Sequence, residues 1–98
     1  MLEGFDATFE HRHRLAIAVL LARHGELSFA RLKQQLDLTD GNLGAQTRKL
    51  EEAGYIECTK TFHGRVPRTD YSLTRLGRRE LARYLDHMEA LIETVRDT

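Results

Sequence analysis

The chain has 98 residues, of which 31% are Asp, Glu, Lys or Arg, and fifteen cations cancel fifteen acids. This length accommodates one small domain with a modest core. The longest apolar run, Leu15 to Ala22, is too short to span a bilayer. The N-terminus carries no signal-peptide pattern, and a single cysteine, Cys58, excludes an internal disulfide framework. The expectation is a soluble, cytoplasmic protein.

Met1 to Thr8 lacks periodicity and is expected to be a loose arm. From Phe9 to Gly25, apolar residues at Leu15, Ile17, Ala18, Leu20 and Leu21 predict an amphipathic helix, with Gly25 as the glycine that ends it. Residues 28–54 predict two short helices across a tight turn. Ser28 is placed to cap the first, which carries Phe29, Leu32 and Leu36 at helical spacing. Leu38 and Thr39 form the turn, and Thr39 caps the second helix, with Leu43, Thr47 and Leu50 inward and Gly54 closing it.

Residues 55–73 read as a hairpin. Tyr55 to Phe62 alternates around Ile56, Cys58 and Phe62, and Thr69 to Leu73 around Tyr71 and Leu73. His63-Gly64-Arg65-Val66-Pro67 forms the tip, with glycine for the turn and proline where no ladder donor is needed. Thr74 caps a last helix over 75–96, carrying Leu76, Leu81, Tyr84, Leu85, Met88, Leu91, Ile92 and Val95. The expected fold class is α+β, mostly α, in one domain spanning residues 1–98: a helix-turn-helix, a two-stranded wing, and long N- and C-terminal helices.

The neutral balance conceals a gradient. From Lys60 to Arg83, seven basic residues face two acidic ones, a net +5. From Tyr84 to Thr98 only Arg96 opposes four acids, a net −3, and the remaining residues sum to −2. A basic sector on a neutral chain suits docking one face on phosphate, although an ordinary solvated surface also accounts for it.

A helix followed by a basic hairpin is how a winged helix-turn-helix addresses DNA, the helix in the major groove and the hairpin on the neighbouring backbone. The motifs LTDGNL, LEEAGYI, KTFHGRVPRT and YSLTRLGRRE, in that order, resemble the small MarR-like transcriptional regulators. The resemblance covers roughly Leu15 to Leu85. It implies a winged-helix DNA-binding fold, a symmetric dimer built from the first and last helices, and Arg65 at the wing tip as the foremost backbone contact.

With three residues of the second short helix inward, Thr39, Gly41, Asn42, Gln46, Arg48 and Lys49 are the candidate DNA-binding residues there. Asn and Gln pair with adenine, and Arg or Lys with guanine or phosphate. Gly41 and Gly44 each cost a helix about 1 kcal/mol against alanine; either the helix start is frayed or the small residues admit a groove wall. Asp40 is unfavourable near phosphate and is explained by the helix dipole. The wing offers Lys60, His63, Arg65 and Arg68. Exposed turns are polar in any case, but four basic side chains before the first acid, Asp70, favour phosphate contact.

The last helix has more apolar positions than a small core covers. Tyr84, Met88, Leu91, Ile92 and Val95 are therefore the candidate homodimer interface, joined by Leu15 of the first helix as the resemblance implies. Five histidines and Cys58 show no zinc-ligand spacing, so no metal and no cofactor is expected. His11 or His13 meeting His87 would be the one route to a metal-responsive regulator. Cys58 reads as a small strand hydrophobe. No nucleophile-base set or phosphate loop suggests an enzyme. The reading is a homodimeric, sequence-specific binder of double-stranded DNA, a transcriptional repressor acting by promoter occlusion. The alternatives are a winged-helix protein-interaction or scaffold module, favoured by the neutral charge and Asp40, and the metal-responsive regulator.

Overall fold

The computed structural model describes residues 4–97. In chain order it comprises α1 (Ala7–Glu10), α2 (Arg12–His24), β1 (Glu26–Ser28), α3 (Phe29–Leu36), α4 (Asp40–Glu52), β2 (Ile56–His63), β3 (Val66–Leu73) and α5 (Arg75–Arg96). This is a winged helix with a three-stranded antiparallel sheet in the order β1-β3-β2.

The expected loose arm departs from the structure after its first residues; Met1 to Glu3 lie outside the described residues. The Asp6 carboxylate accepts from the Thr8 amide at 2.9 Å and caps α1. Phe5 packs edge-on to Tyr84, their ring centroids 5.4 Å apart. The expected first helix over residues 9–25 is also broken. His11 is extended and caps α2 by accepting from the His13 amide. At the other end, Gly25 stops α2 with a positive φ of 84°, a backbone conformation that a side chain would strain.

Ser28 and Thr39 cap α3 and α4, accepting from Arg31 and Asn42 amides at 3.1 Å each. Asp37 ends α3 at φ 52°, and the chain turns through Leu38 into α4. Leu32, Leu43 and Leu50 are fully buried, with Phe9, Ile17, Ala18 and Leu21 from the first helices. Thr47 is buried too, its hydroxyl donating to the Gly44 carbonyl at 3.1 Å. Ile56, Tyr71, Leu73 and Leu27 close this core from the sheet, and Leu81 and Tyr84 from α5.

The sheet contains a strand that the sequence does not announce. β1 pairs Glu26, Leu27 and Ser28 with Ser72, Tyr71 and Asp70. The wing is longer and its turn tighter than expected: His63 pairs with Val66, leaving only Gly64 and Arg65 in the turn. Gly64 alone has positive φ, 66°, the pattern of a two-residue turn with glycine first. Pro67 sits in β3 beyond the reach of β1, so its missing N–H costs no ladder bond on that side.

α5 begins at a close joint. The Thr74 hydroxyl accepts from the Gly77 amide and donates to the Gly54 carbonyl, and the Thr74 amide donates to the Tyr55 carbonyl. Gly77 lies so near that a Cβ there would stand 2.0 Å from the Tyr55 carbonyl oxygen. The inward face of α5 then runs through Gly77, Leu81 and Tyr84.

Candidate nucleic-acid interface

The outer face of α4 presents Gly41, Asn42, Ala45, Arg48 and Lys49 to solvent. A Cβ on Gly41 or Gly44 would meet nothing of this chain within 4 Å, so no internal packing demands glycine there. Thr39 is exposed, and its oxygen is committed to the cap. Asp40 forms an ion pair with Lys33 at 2.9 Å, both groups well exposed, in addition to its place in the first turn.

Gln46, the candidate base contact between Asn42 and Arg48, has partners within its own chain. It is half-buried, and its Oε1 accepts from Nη1 of Arg14 at 2.9 Å, while its Nε2 donates to Asn42 Oδ1 at 3.4 Å. Arg14 also donates through Nε to the Thr8 carbonyl at 2.7 Å. Sequence reasoning missed Arg14, yet it left a signal: a cation heading the apolar stripe Ile17, Ala18, Leu21 on the buried side of α2.

The wing cations separate. By strand register Lys60 shares a sheet face with Phe62, Pro67 and Thr69, whereas His63 and Arg68 lie on the opposite face. Arg68 is tied through Nε to both oxygens of Asp70, at 3.0 and 3.1 Å, with the Asp70 side chain nearly buried. Its charge is therefore largely compensated within the wing. Arg65, at the turn, is exposed. Phe62, expected on an inward-alternating strand, is 74% exposed, and Val66 64%. An open cleft of about 440 Å³ lies where the start of α3 meets the wing, lined among others by Phe29, His63, Val66 and Arg68.

The proposed dimer residues also divide. Tyr84 belongs to the core of its own chain, packed against Phe5 and Phe9. Leu15 and Met88 are partly buried against the same core. Leu91 is half-buried, while Ile92 is 43% and Val95 71% exposed; Leu85, which lies one turn before Met88, is 42% exposed.

Around the arm, Phe9 stacks on Tyr55 with centroids 5.2 Å apart, and the Tyr55 hydroxyl donates to Asp6. Burial, reinforced by that bond to a carboxylate, pushes the Tyr55 hydroxyl up to about 12. Burial acts to raise the Asp6 carboxyl, but hydrogen bonds from Tyr55 and Thr8 outweigh it and leave it below its ordinary value. The His11 and His13 rings stand 5.3 Å apart, and His87 contacts the Gly4 carbonyl instead. Among the described residues, no three His, Cys, Asp or Glu side chains gather as a metal site, so the metal-responsive alternative gains no site. Among the same residues, no helix is long and apolar enough to cross a membrane.

A capped helix with an open polar face, set beside a hairpin with a basic turn, is the arrangement of a winged-helix DNA-binding domain. The chain belongs to the family described as winged helix DNA-binding domain, which it matches over residues 13–92. It is 40% identical over 73 residues to an uncharacterised protein of Methanocaldococcus jannaschii, covering 74% of this chain and 78% of that one. Its fold is similar to that of a transcriptional regulator homologue from Pyrococcus horikoshii, with a TM-score of 0.85, 32% identity, and 90% and 87% of the two chains covered. It is also similar to Bacillus subtilis PadR in complex with operator DNA, with a TM-score of 0.66, 27% identity, and 74% of this chain and 45% of that one covered.

Proposed function

We propose that the protein is a cytoplasmic repressor that binds an operator in duplex DNA as a homodimer and occludes the promoter. The observation that carries this reading is the exposed face of α4, where Asn42, Arg48 and Lys49 stand clear of the core on a helix that is capped and buried on its other side. Asn42 and Arg48 would reach base edges, and Lys49, Lys60, His63 and Arg65 the backbone. Gly41 and Gly44, free of internal packing demands, would let the helix approach the groove wall.

Dimerisation is supported by Leu85 and Ile92, two large apolar side chains about 40% exposed and seven residues apart on α5. α5 carries the molecule to a length of 58 Å against widths of 26 and 21 Å. A two-fold pair would set two α4 helices about 34–36 Å apart, one duplex turn, on a palindromic site. Titrating random and selected duplexes at several salt concentrations in a mobility-shift assay tests the DNA reading. Sedimentation of the wild type and of Ile92→Glu tests the dimer, because an unpaired buried carboxylate should split it. A wild-type chain that sediments as a monomer at tens of micromolar refutes the palindromic operator.

A second reading has its own observation. The exposed Phe62 on the wing suits a protein partner, which would make this a winged-helix interaction module. Absence of any salt-dependent shift on duplex DNA would favour it.

A further inference from the structure

Three side chains form a one-way relay from the half-buried Arg14 on α2 to the outer face of α4. Arg14 is anchored at Nε by the Thr8 carbonyl at 2.7 Å, and its Nη1 donates to Gln46 Oε1 at 2.9 Å. Gln46 Nε2 then donates to Asn42 Oδ1 at 3.4 Å. A guanidinium has N–H donors and no acceptor, so it admits only the oxygen of Gln46. The Gln46 amide is thereby turned so that its NH₂ faces Asn42. That NH₂ likewise only donates, so it admits only the oxygen of Asn42. Asn42 is left with its two N–H donors on the side away from the relay, at the exposed start of α4.

We propose that Arg14 is a positioning residue for base readout: acting through Gln46, it fixes which edge of the Asn42 amide is turned toward DNA. The inference rests on the DNA-binding reading above and sharpens it. An asparagine that reads adenine uses its oxygen and its NH₂ together. Here one lone pair of the oxygen is already engaged, and the NH₂ is presented first. The edge that matches is one of acceptors, the O6 and N7 of guanine or the O4 of thymine, in place of the adenine that residue type alone suggests. The relay also explains a cation at the head of the buried stripe of α2, where an apolar side chain would pack at lower desolvation cost.

The test is selection of bound sequences from a random duplex pool by the wild-type protein and four variants. Asn42→Ala locates the base pair that Asn42 reads. Arg14→Met and Gln46→Met each cut the relay, the latter leaving the Arg14–Thr8 contact intact, so it still carries the test if Arg14→Met does not fold. Both are expected to relax preference at that same base pair by about fivefold or more. Other positions and the slope of log K against log salt should stay unchanged. The double variant Arg14→Met/Gln46→Met should be no worse than either single one, because the two act in series.

Preferences that superimpose on the wild type in both single variants overturn the relay. So does a uniform loss at every position with a slope flatter by about one unit for Arg14→Met, which would make Arg14 a direct phosphate contact. If Asn42→Ala changes no position, or the wild type binds duplex without enriching any sequence, base reading by Asn42 fails and the relay with it. Failure to bind any duplex refutes the DNA-binding reading itself.

Discussion

α4 is braced on three sides before anything binds its fourth: Thr39 caps it, Arg14 holds Gln46, and Leu43, Thr47 and Leu50 lie in the core. The wing beyond Lys60 has no such support. Thr61 to Arg68 are all exposed, Phe62 and Val66 among them, and the ladder with the Arg68–Asp70 pair holds the hairpin together. Both regions carry candidate DNA-binding residues, so the difference is one of preorganisation. A helix held in register loses little further freedom on meeting base edges. A hairpin with few buried contacts sits at the low end of local stability and is free to follow the backbone.

The sharpest test of this contrast pairs two truncations. Leu50→Ala, at a fully buried site, should cost about 2–5 kcal/mol in urea unfolding, whereas Phe62→Ala should stay within about 0.5 kcal/mol. Comparable losses would mean that the wing tip is as firmly built as α4. Next in size is Gly77→Ala, whose Cβ would collide with the Tyr55 backbone. It should cost about 1–3 kcal/mol, read by thermal melting.

Tyr55→Phe removes the bond to Asp6 and should cost about 1 kcal/mol near neutral pH. Because the Tyr55 hydroxyl is raised from 10.0 to about 12, its contribution is full below 10 and lost as pH rises through 12. The Asp6 contribution is present above the ordinary carboxylate range and lost as pH falls through its lowered folded value. The stability curve of Tyr55→Phe should therefore be flatter than that of the wild type at both ends.

Gly44→Ala separates stability from binding: about 0.5–1 kcal/mol more stable by denaturation, but weaker on DNA if the helix must approach a groove wall. Equal or tighter binding would assign the glycine to a tolerated helix start. Arg65→Ala, at the wing turn, should be the mildest, leaving folding untouched and flattening the salt slope by about one unit.

The parts of the molecule legible in its sequence are those fixed locally. Ser28, Thr39 and Thr74 each precede a helix with amides to satisfy, and each proves to be its cap. Leu43, Thr47 and Leu50 lie one turn apart and face inward together. Features that depend on distant partners were not legible. β1 has three residues, too few to show alternation, and becomes a strand only by pairing with Asp70 to Ser72. Tyr84 and Leu85 are adjacent, and periodicity cannot assign one to the core; Phe5 and Phe9 decide it. The Arg68–Asp70 pair was within reach, since residues two apart on a strand share a face. Gln46 was hidden because its partner lies thirty-two positions away, on α2.

The small strand β1 has an effect beyond widening the sheet. Ser28 pairs with Asp70 and Glu26 with Ser72, so α3, α4 and the wing occupy a loop whose two ends are stitched together. A two-stranded hairpin alone is marginal in water, and a third strand gives it a base. Closing so long a loop is an entropically late event in folding. The base of the wing should thus form only after the helices have collapsed. In hydrogen exchange, the amides of β1 and of β3 from Asp70 to Ser72 should then open together as one unit, while those of the wing tip exchange freely.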